Sequence, residues 1–291
     1  MNKLHEELFL DIFEKNRGVK GRIISTRPLS GGDINQAAKV ETREGFWFAK
    51  WNSADAFPGM FEAEAKGLEL LRRAGELFVP AVVGFGEMQN ESMLLLEYVD
   101  SKRENPGFWH DFGRSLAAMH KHTEVYFGLD HHNYIGSLPQ YNHKKDSWVD
   151  FFISCRLEEQ IKMARNKGRI DKTTITRFER LYGRLNDFFP QEKPSLLHGD
   201  LWSGNFMTSH KGDACIIDPA VYYGHRLMDL GMTKLFGGFS HEFYDAYHNE
   251  FPLESNWREA IEIANLYPLM VHVNLFGGGY MGTVNSVLRR F

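Results

Sequence analysis

HGDLWSGN, residues 198–205, sets an acid two positions after a histidine and an amide five positions after the acid, with Gly204 next to the amide. A carboxylate and a carboxamide at that interval, on a stretch too glycine-rich for a helix, describe one functional loop, and the flanking chain decides what it belongs to. Downstream, the apolar run ACII reads as a short strand that delivers Asp218 at its end. Upstream, RIISTRPLSGGDINQAAKVETREGFWFAKW (22–51) breaks into three strands, the first two joined through Gly31-Gly32 and the next pair by a hairpin around Arg43–Gly45. MFEAEAKGLELLRRAG carries Phe61, Ala65, Leu68 and Leu71 on one helical face and stops at Gly75. Two more strands follow, near 81–87 and 92–98, turning at Gln89-Asn90. From Asn105 the periodicity turns helical, as in FWHDFGRSLAAMH and WVDFFISCRLEEQIKMA. These patterns predict an α+β chain of two lobes, residues 1–100 around an antiparallel sheet and residues 101–291 mainly helical.

Composition narrows the partners. Lys and Arg number 34 against 38 Asp and Glu, a net charge of −4 that offers no electrostatic footprint for nucleic acid. The opening MNKLHEELFLDIFEKNRG places Leu4, Leu8 and Ile12 at helical spacing among acids and lacks the continuous apolar core of a signal peptide. No run of about 18 apolar residues would span a bilayer. The cysteines, Cys155 and Cys215, have no CxxC partner, and with the rest point to a cytoplasmic protein without disulfides, membrane or obligate protein partner.

The chemistry follows from order along the chain. Phosphoryl transfer must neutralise a polyphosphate, hold Mg2+ and place a hydroxyl in line with the γ-phosphorus. In protein kinases the catalytic loop spaces an aspartate and a metal-binding asparagine by five, as Asp200 and Asn205 are spaced here. Asp218 stands where a second metal-binding carboxylate is needed. Lys50, ending FWFAK, and Glu64, on the next helix, suit the ion pair that aims an ammonium at the α and β phosphates, with Glu62 a competitor for that pairing. LLLEYVD reads as a hinge whose backbone at Glu97 and Val99 meets the adenine edge, and Gly31-Gly32 as a turn whose N–H groups approach phosphate. Each feature alone has a plainer reading: a hairpin turn, a solvated lysine, an Asx loop or a strand end. Their joint order is what these readings do not explain. Five histidines between His120 and His143 share no metal-ligand spacing.

HGDLWSGN, LSGGDINQAAKV, FEAEAKGLELL, NYIGSLPQYN, DFFISCRLEEQI and DPAVYYGHRLMDLGMTKLFGGF together resemble the fructosamine kinase (ketosamine-3-kinase) family, within the protein-kinase-like small-molecule kinases that include aminoglycoside phosphotransferases and choline kinases. The resemblance implies a protein-kinase-like fold with ATP between the lobes, and ATP- and Mg2+-dependent phosphorylation of the 3-hydroxyl of a ketosamine, free or protein-bound, which leads to deglycation. By position it implies Asp200 as catalytic base, Asn205 and Asp218 as Mg2+ ligands, Lys50 with Glu64 as phosphate clamp, Glu97 to Val99 as adenine contact and Trp202 against the sugar. Asp33 departs from the cysteine of several relatives, and Leu227 from their GHRE, leaving Asp229 to brace the catalytic loop. Gly199, where protein kinases carry an arginine, and the short chain after Asp218 predict an enzyme that needs no activating phosphorylation. The rivals are a sister kinase for an aminoglycoside, choline or thiamine-like alcohol, against which the apolar VHVNLFGGGYMG speaks, and a nucleotide-binding pseudokinase, against which the intact acids speak.

Overall fold

The computed structural model describes residues 1–29, 35–277 and 279–291. The chain divides into two compact units, Met1–Phe108 with Met207–Pro219, and Trp109–Phe206 with Ala220–Phe291. Among the described residues no helix is long and apolar enough to cross a membrane.

The first unit is built on a five-stranded antiparallel sheet of order β1-β2-β3-β5-β4, with β1 Ile23–Leu29, β2 Gln36–Thr42, β3 Gly45–Ser53, β4 Val82–Met88 and β5 Glu91–Glu97. Alternation along β3 sends Trp47, Ala49 and Trp51 to one face, where Leu8, Phe9, Ile12 and Phe13 of α1 (Lys3–Arg17) complete the core. Helix α1 starts at Asn2, whose side chain accepts from the His5 amide at 2.9 Å. It packs close on β4 because Gly84 has no side chain: a Cβ there would lie 2.4 Å from Asn16. The opposite face of β3 carries Lys50 and Asn52. β3 does not end at Lys50, as the sequence suggested, but runs to Ser53, because Trp51 and Asn52 are buried and pair with Met93 and Ser92. Helix α2 (Met60–Ala74) follows. The later segment of the unit brings β9 (Phe206–Thr208) and β10 (Ala214–Ile216), which pair with each other, and Cys215 bridges to Phe78.

The second unit is mainly helical: α3 Phe108–His120, α4 Trp148–Phe151, α5 Glu158–Asn166, α6 Lys172–Tyr182, α7 Leu185–Phe188, α8 Leu227–Leu235, α9 His241–Glu250, α10 Trp257–Ala264, α11 Leu266–Phe276 and α12 Tyr280–Leu288. Helices α4 and α5 are joined by a π-helical turn, Phe152–Leu157, and Ser147 caps α4 by accepting from the Asp150 amide. Helix α3 lies against α9 at Gly113, where a Cβ would stand 2.1 Å from the Phe243 carbonyl oxygen. Two short ladders complete the unit, β6 (Asn133–Ile135) with β7 (Leu138–Gln140), and β8 (Ser195–Leu197) with β11 (Tyr222–Gly224). All three residues of β8 are buried, which fixes the strand that leads into HGD.

Candidate active site

The first unit brings three of the predicted residues together. Lys50, on β3 opposite Leu94, is buried at 4% exposure, and its Nζ lies 2.6 Å from Glu64 Oε1 and 2.7 Å from Asp218 Oδ1. Glu64, not Glu62, is the partner; Glu62 pairs with Lys66 one turn away at 2.8 Å. Burial alone would lower the Lys50 pKa, but the charges of Asp218 and Glu64 outweigh it and raise the ammonium above its ordinary value. Glu64 is pushed up to about 7, chiefly by burial, with Lys50 opposing. Asp218 sits two residues past β10 with φ +51°, a left-handed backbone uncommon outside glycine and frequent at functional positions. Its side chain keeps 46% of its surface exposed, so it is held by Lys50 without being enclosed.

At the end of β5, the Glu97 amide donates to the Ala81 carbonyl at 2.8 Å and its carboxylate accepts from the Ala81 amide at 3.1 Å. Val99 is buried. Between them the Tyr98 ring lies 3.9 Å from Lys39 Nζ, which also contacts the Phe46 ring and pairs with Asp100. Gly31 and Gly32 lie outside the described residues.

The second unit holds the HGDLWSGN loop. Asn205 Nδ2 donates to the Asp200 carbonyl at 2.9 Å and to Asp200 Oδ2 at 3.0 Å, so the acid and the amide five residues on are directly bonded. The loop backbone is tied down from below by Asp229, on α8, whose Oδ2 accepts from the His198 amide at 2.8 Å and whose Oδ1 accepts from the Gly199 amide at 2.9 Å. His120 Nε2 reaches the same Oδ2 at 3.2 Å, and its Nδ1 meets the Tyr247 hydroxyl at 2.7 Å. Burial would raise the Asp229 carboxyl, yet the His120 and Gly199 hydrogen bonds hold it below the usual carboxylate range. Gly199, at φ +83°, admits no Cβ, which would stand 2.1 Å from the Ala220 carbonyl oxygen. Trp202 is 38% exposed and lies across Gly204, where a Cβ would come within 2.4 Å of its indole; its outer edge meets Phe236 with ring centroids 6.0 Å apart.

The fructosamine kinase family matches residues 7–291. A probable ketoamine kinase of Enterococcus faecium is 37% identical over 275 residues, covering 94% of this chain and 96% of that protein. The chain belongs to the fructosamine kinase family. A solved structure named as a "putative fructosamine-3-kinase" from Haemophilus somnus superposes with a TM-score of 0.89 at 26% identity and covers 99% of both chains. A thermostable mutant of an aminoglycoside phosphotransferase, solved as a ternary complex with AMP-PNP and hygromycin B, shares the fold at a TM-score of 0.61 and 15% identity, covering 97% of each chain. The family member thus has the two-lobed, protein-kinase-like α+β architecture its sequence predicts.

His120, weighed in the sequence only for metal-ligand spacing, and Tyr247, not singled out there, complete the support behind Asp229. A histidine ending an amphipathic helix carries no mark of its partner 109 residues away. The same holds for Arg226, whose guanidinium grips Glu192 through Nε and Nη2 and donates to the Phe251 and Pro252 carbonyls at the foot of α8.

Proposed function

We propose that the protein transfers the γ-phosphoryl group of ATP to the 3-hydroxyl of a ketosamine of the fructosamine or ribulosamine type. The observation that carries this is the Asp200–Asn205 pair, bonded to each other on a loop whose backbone is anchored by a fully buried carboxylate. Asp200 accepts the proton of the attacking hydroxyl; Asp229 and His120 keep the loop from yielding as charge moves. Lys50, kept protonated by Glu64 and Asp218, offers its charge to the α and β phosphates. With the Glu97 amide bonded to Ala81, we assign the adenine edge to the Glu97 carbonyl and the Val99 backbone. Asp218 and Asn205 supply carboxylate and amide oxygens, the hard donors Mg2+ takes. When bound, Mg2+ neutralises charge on the transferring phosphoryl group.

Trp202 presents an indole face to the sugar, suited to C–H bonds and to a nearby ammonium. Rings continue from it through Phe236 to His272 and Tyr280, an aromatic run that supports a neutral sugar body as the acceptor. The substrate's amine is free or part of a protein. Gly199 in place of an arginine supports activity without phosphorylation, and the two free, buried cysteines suit the cytoplasm.

A coupled ADP-release assay over ketosamines, choline and an aminoglycoside tests the acceptor class. Turnover on choline or the aminoglycoside but on no ketosamine would reject this reading. In the same assay Asp200→Asn should bind ATP as the parent does and lose about a thousandfold or more in kcat; undiminished turnover would remove Asp200 as base.

A further inference from the structure

Arg156 is wholly buried in the second unit at 0% exposure, yet among the described residues no carboxylate pairs with it. A buried guanidinium without a counter-ion is costly and calls for a reason. Its charge rests on rings instead: the centroid of Tyr222 is 4.0 Å from the guanidinium carbon, that of Phe151 4.6 Å and that of Tyr267 5.3 Å. Its N–H groups donate to the Tyr141 carbonyl at 2.6 Å, the Cys155 carbonyl at 3.0 Å and Asn142 Oδ1 at 2.8 Å. The residue stands in the π-helical turn Phe152–Leu157, and such turns gather at functional sites because one extra residue re-aims a side chain at the expense of helix regularity.

From Asn142 a chain of amides runs to the catalytic loop. Asn142 Nδ2 donates to Asn133 Oδ1 at 3.0 Å; Gln140 Nε2 donates to that same oxygen at 2.8 Å and to the Ala220 carbonyl at 3.0 Å. Asn133 Nδ2 donates to the Val221 carbonyl at 2.8 Å, and the Tyr267 hydroxyl donates to Gln140 Oε1 at 2.7 Å. Asn133, Gln140 and Asn142 are all buried, so these bonds are made in low dielectric, where orientation is strongly enforced. The segment they grip is itself bonded to the loop: the Ala220 amide donates to the His198 carbonyl at 2.9 Å, and Ala220 packs on Gly199 so tightly that no Cβ fits between. Asp229 holds residues 198–199 by their amides; the amide chain holds the same residues through Ala220. Tyr267 joins the two chemistries, since it lies over Arg156, bonds Gln140 and sits within the field of Asp200.

We propose that Arg156 is a positioning residue for phosphoryl transfer, fixing through Asn142, Asn133 and Gln140 the backbone that carries Asp200, with Tyr267 as the lock on that chain. This rests on Asp200 being the base of a ketosamine kinase. A positioning residue alters the chemical step and leaves nucleotide binding alone, because misplacement of a reacting group by a fraction of an ångström is felt in kcat.

The test uses the full chain with Tyr267→Phe, Arg156→Lys and Arg156→Met, measuring kcat and KM for ATP and for a ketosamine, with ATP-binding stoichiometry on the same samples to count folded molecules. Tyr267→Phe keeps the ring and loses one hydrogen bond; kcat per nucleotide-binding site should fall about tenfold, with KM for ATP within about twofold of the parent. Arg156→Met should fall further, and Arg156→Lys, which keeps the charge but not the fork, should recover part of that loss. The proposal is overturned if kcat per binding site stays within twofold of the parent in Tyr267→Phe and Arg156→Lys, or if losses merely follow the fraction of molecules that bind ATP. Should Arg156→Met fail to fold, the other two variants decide. A parent enzyme that releases no ADP with any ketosamine overturns the functional reading and this proposal with it, whereas active parent and unaffected variants overturn this proposal alone.

Discussion

Replacing Asp229 by asparagine removes one charge and one acceptor without changing shape, and the structure gives the cost. The carboxylate takes three donors, the His198 and Gly199 amides and His120 Nε2, in a site 1% exposed. An asparagine has one acceptor oxygen. Placed toward His198 and His120 it keeps two of the bonds in weaker, neutral form, and its NH2 then faces the Gly199 N–H, donor against donor. Losing a hydrogen bond to an ionised acceptor costs about 1.5–3 kcal/mol, and the orphaned buried amide adds about 1–3 kcal/mol. Partial relaxation leaves a net destabilisation of about 3–4 kcal/mol. The loop answers by moving Gly199 away, which carries Asp200 off its position, so kcat should fall about a hundredfold or more while ATP affinity changes little. Urea unfolding of parent and variant gives the first number, and steady-state ADP release with binding titrations gives the second. A variant within 1 kcal/mol and twofold of the parent would refute the brace, and a variant that loses stability but not kcat would show that Asp229 supports the fold without positioning the loop.

His225 should make the protein acid-sensitive: burial depresses its pKa to about 4, and the Leu227 amide donates into Nδ1 while Nε2 meets the Pro190 carbonyl, a pattern only the neutral ring satisfies. The unfolded state binds the proton first, so this contribution is whole above about 6.5 and is lost as pH falls toward 4, worth about 3 kcal/mol in all; His225→Asn should flatten that part of a stability-versus-pH curve, and an unchanged curve would count against it. Gly204→Ala drives a methyl into the Trp202 indole. KM for the ketosamine should rise about fivefold or more with KM for ATP unchanged, and an unaltered ketosamine KM would remove Trp202 from the substrate site. Gly113→Ala, aimed at the Phe243 carbonyl, should cost about 2–3 kcal/mol by chemical unfolding, and full stability would mean that α3 and α9 can part freely.

Local chemistry was legible in the sequence wherever spacing alone fixes geometry. Lys50 and Glu64 meet because a strand and the helix after it place them there, and helix phase separates Glu64 from Glu62: Glu64 follows Phe61 and precedes Leu68 on the buried side, while Glu62 leans toward Lys66. The five-residue interval of Asp200 and Asn205 becomes a direct hydrogen bond. What escaped was whatever rests on distant partners or on elements too short to show a period. Three-residue ladders such as β6–β7 and β8–β11 cannot alternate long enough to be seen. The π-helical turn shifts the apolar stripe by a single residue within an otherwise ordinary helix. Residues 207–219 belong with the sheet unit through contacts such as Phe78 with Cys215, and nothing in their own composition announces it.

The same residue type does different things here because its surroundings differ. Asp229 is enclosed, held by three donors and has no open side; it can orient a backbone but cannot receive a ligand. Asp218 keeps nearly half its side chain in solvent, bonds the Lys50 ammonium and stands on a left-handed backbone, and in the proposed reaction it is the carboxylate a cation would reach. Glu64 is buried and pushed up to about 7, chiefly by burial and against the opposing charge of Lys50. A phosphate that drew Lys50 toward itself would leave Glu64 the easier group to protonate, and Asp218 the carboxylate released from its ammonium. In the proposed reaction, binding of nucleotide and readiness of Asp218 for a metal would be coupled through one lysine, and the 2.7 Å contact between that strand lysine and an acid 168 residues later is the observation behind it.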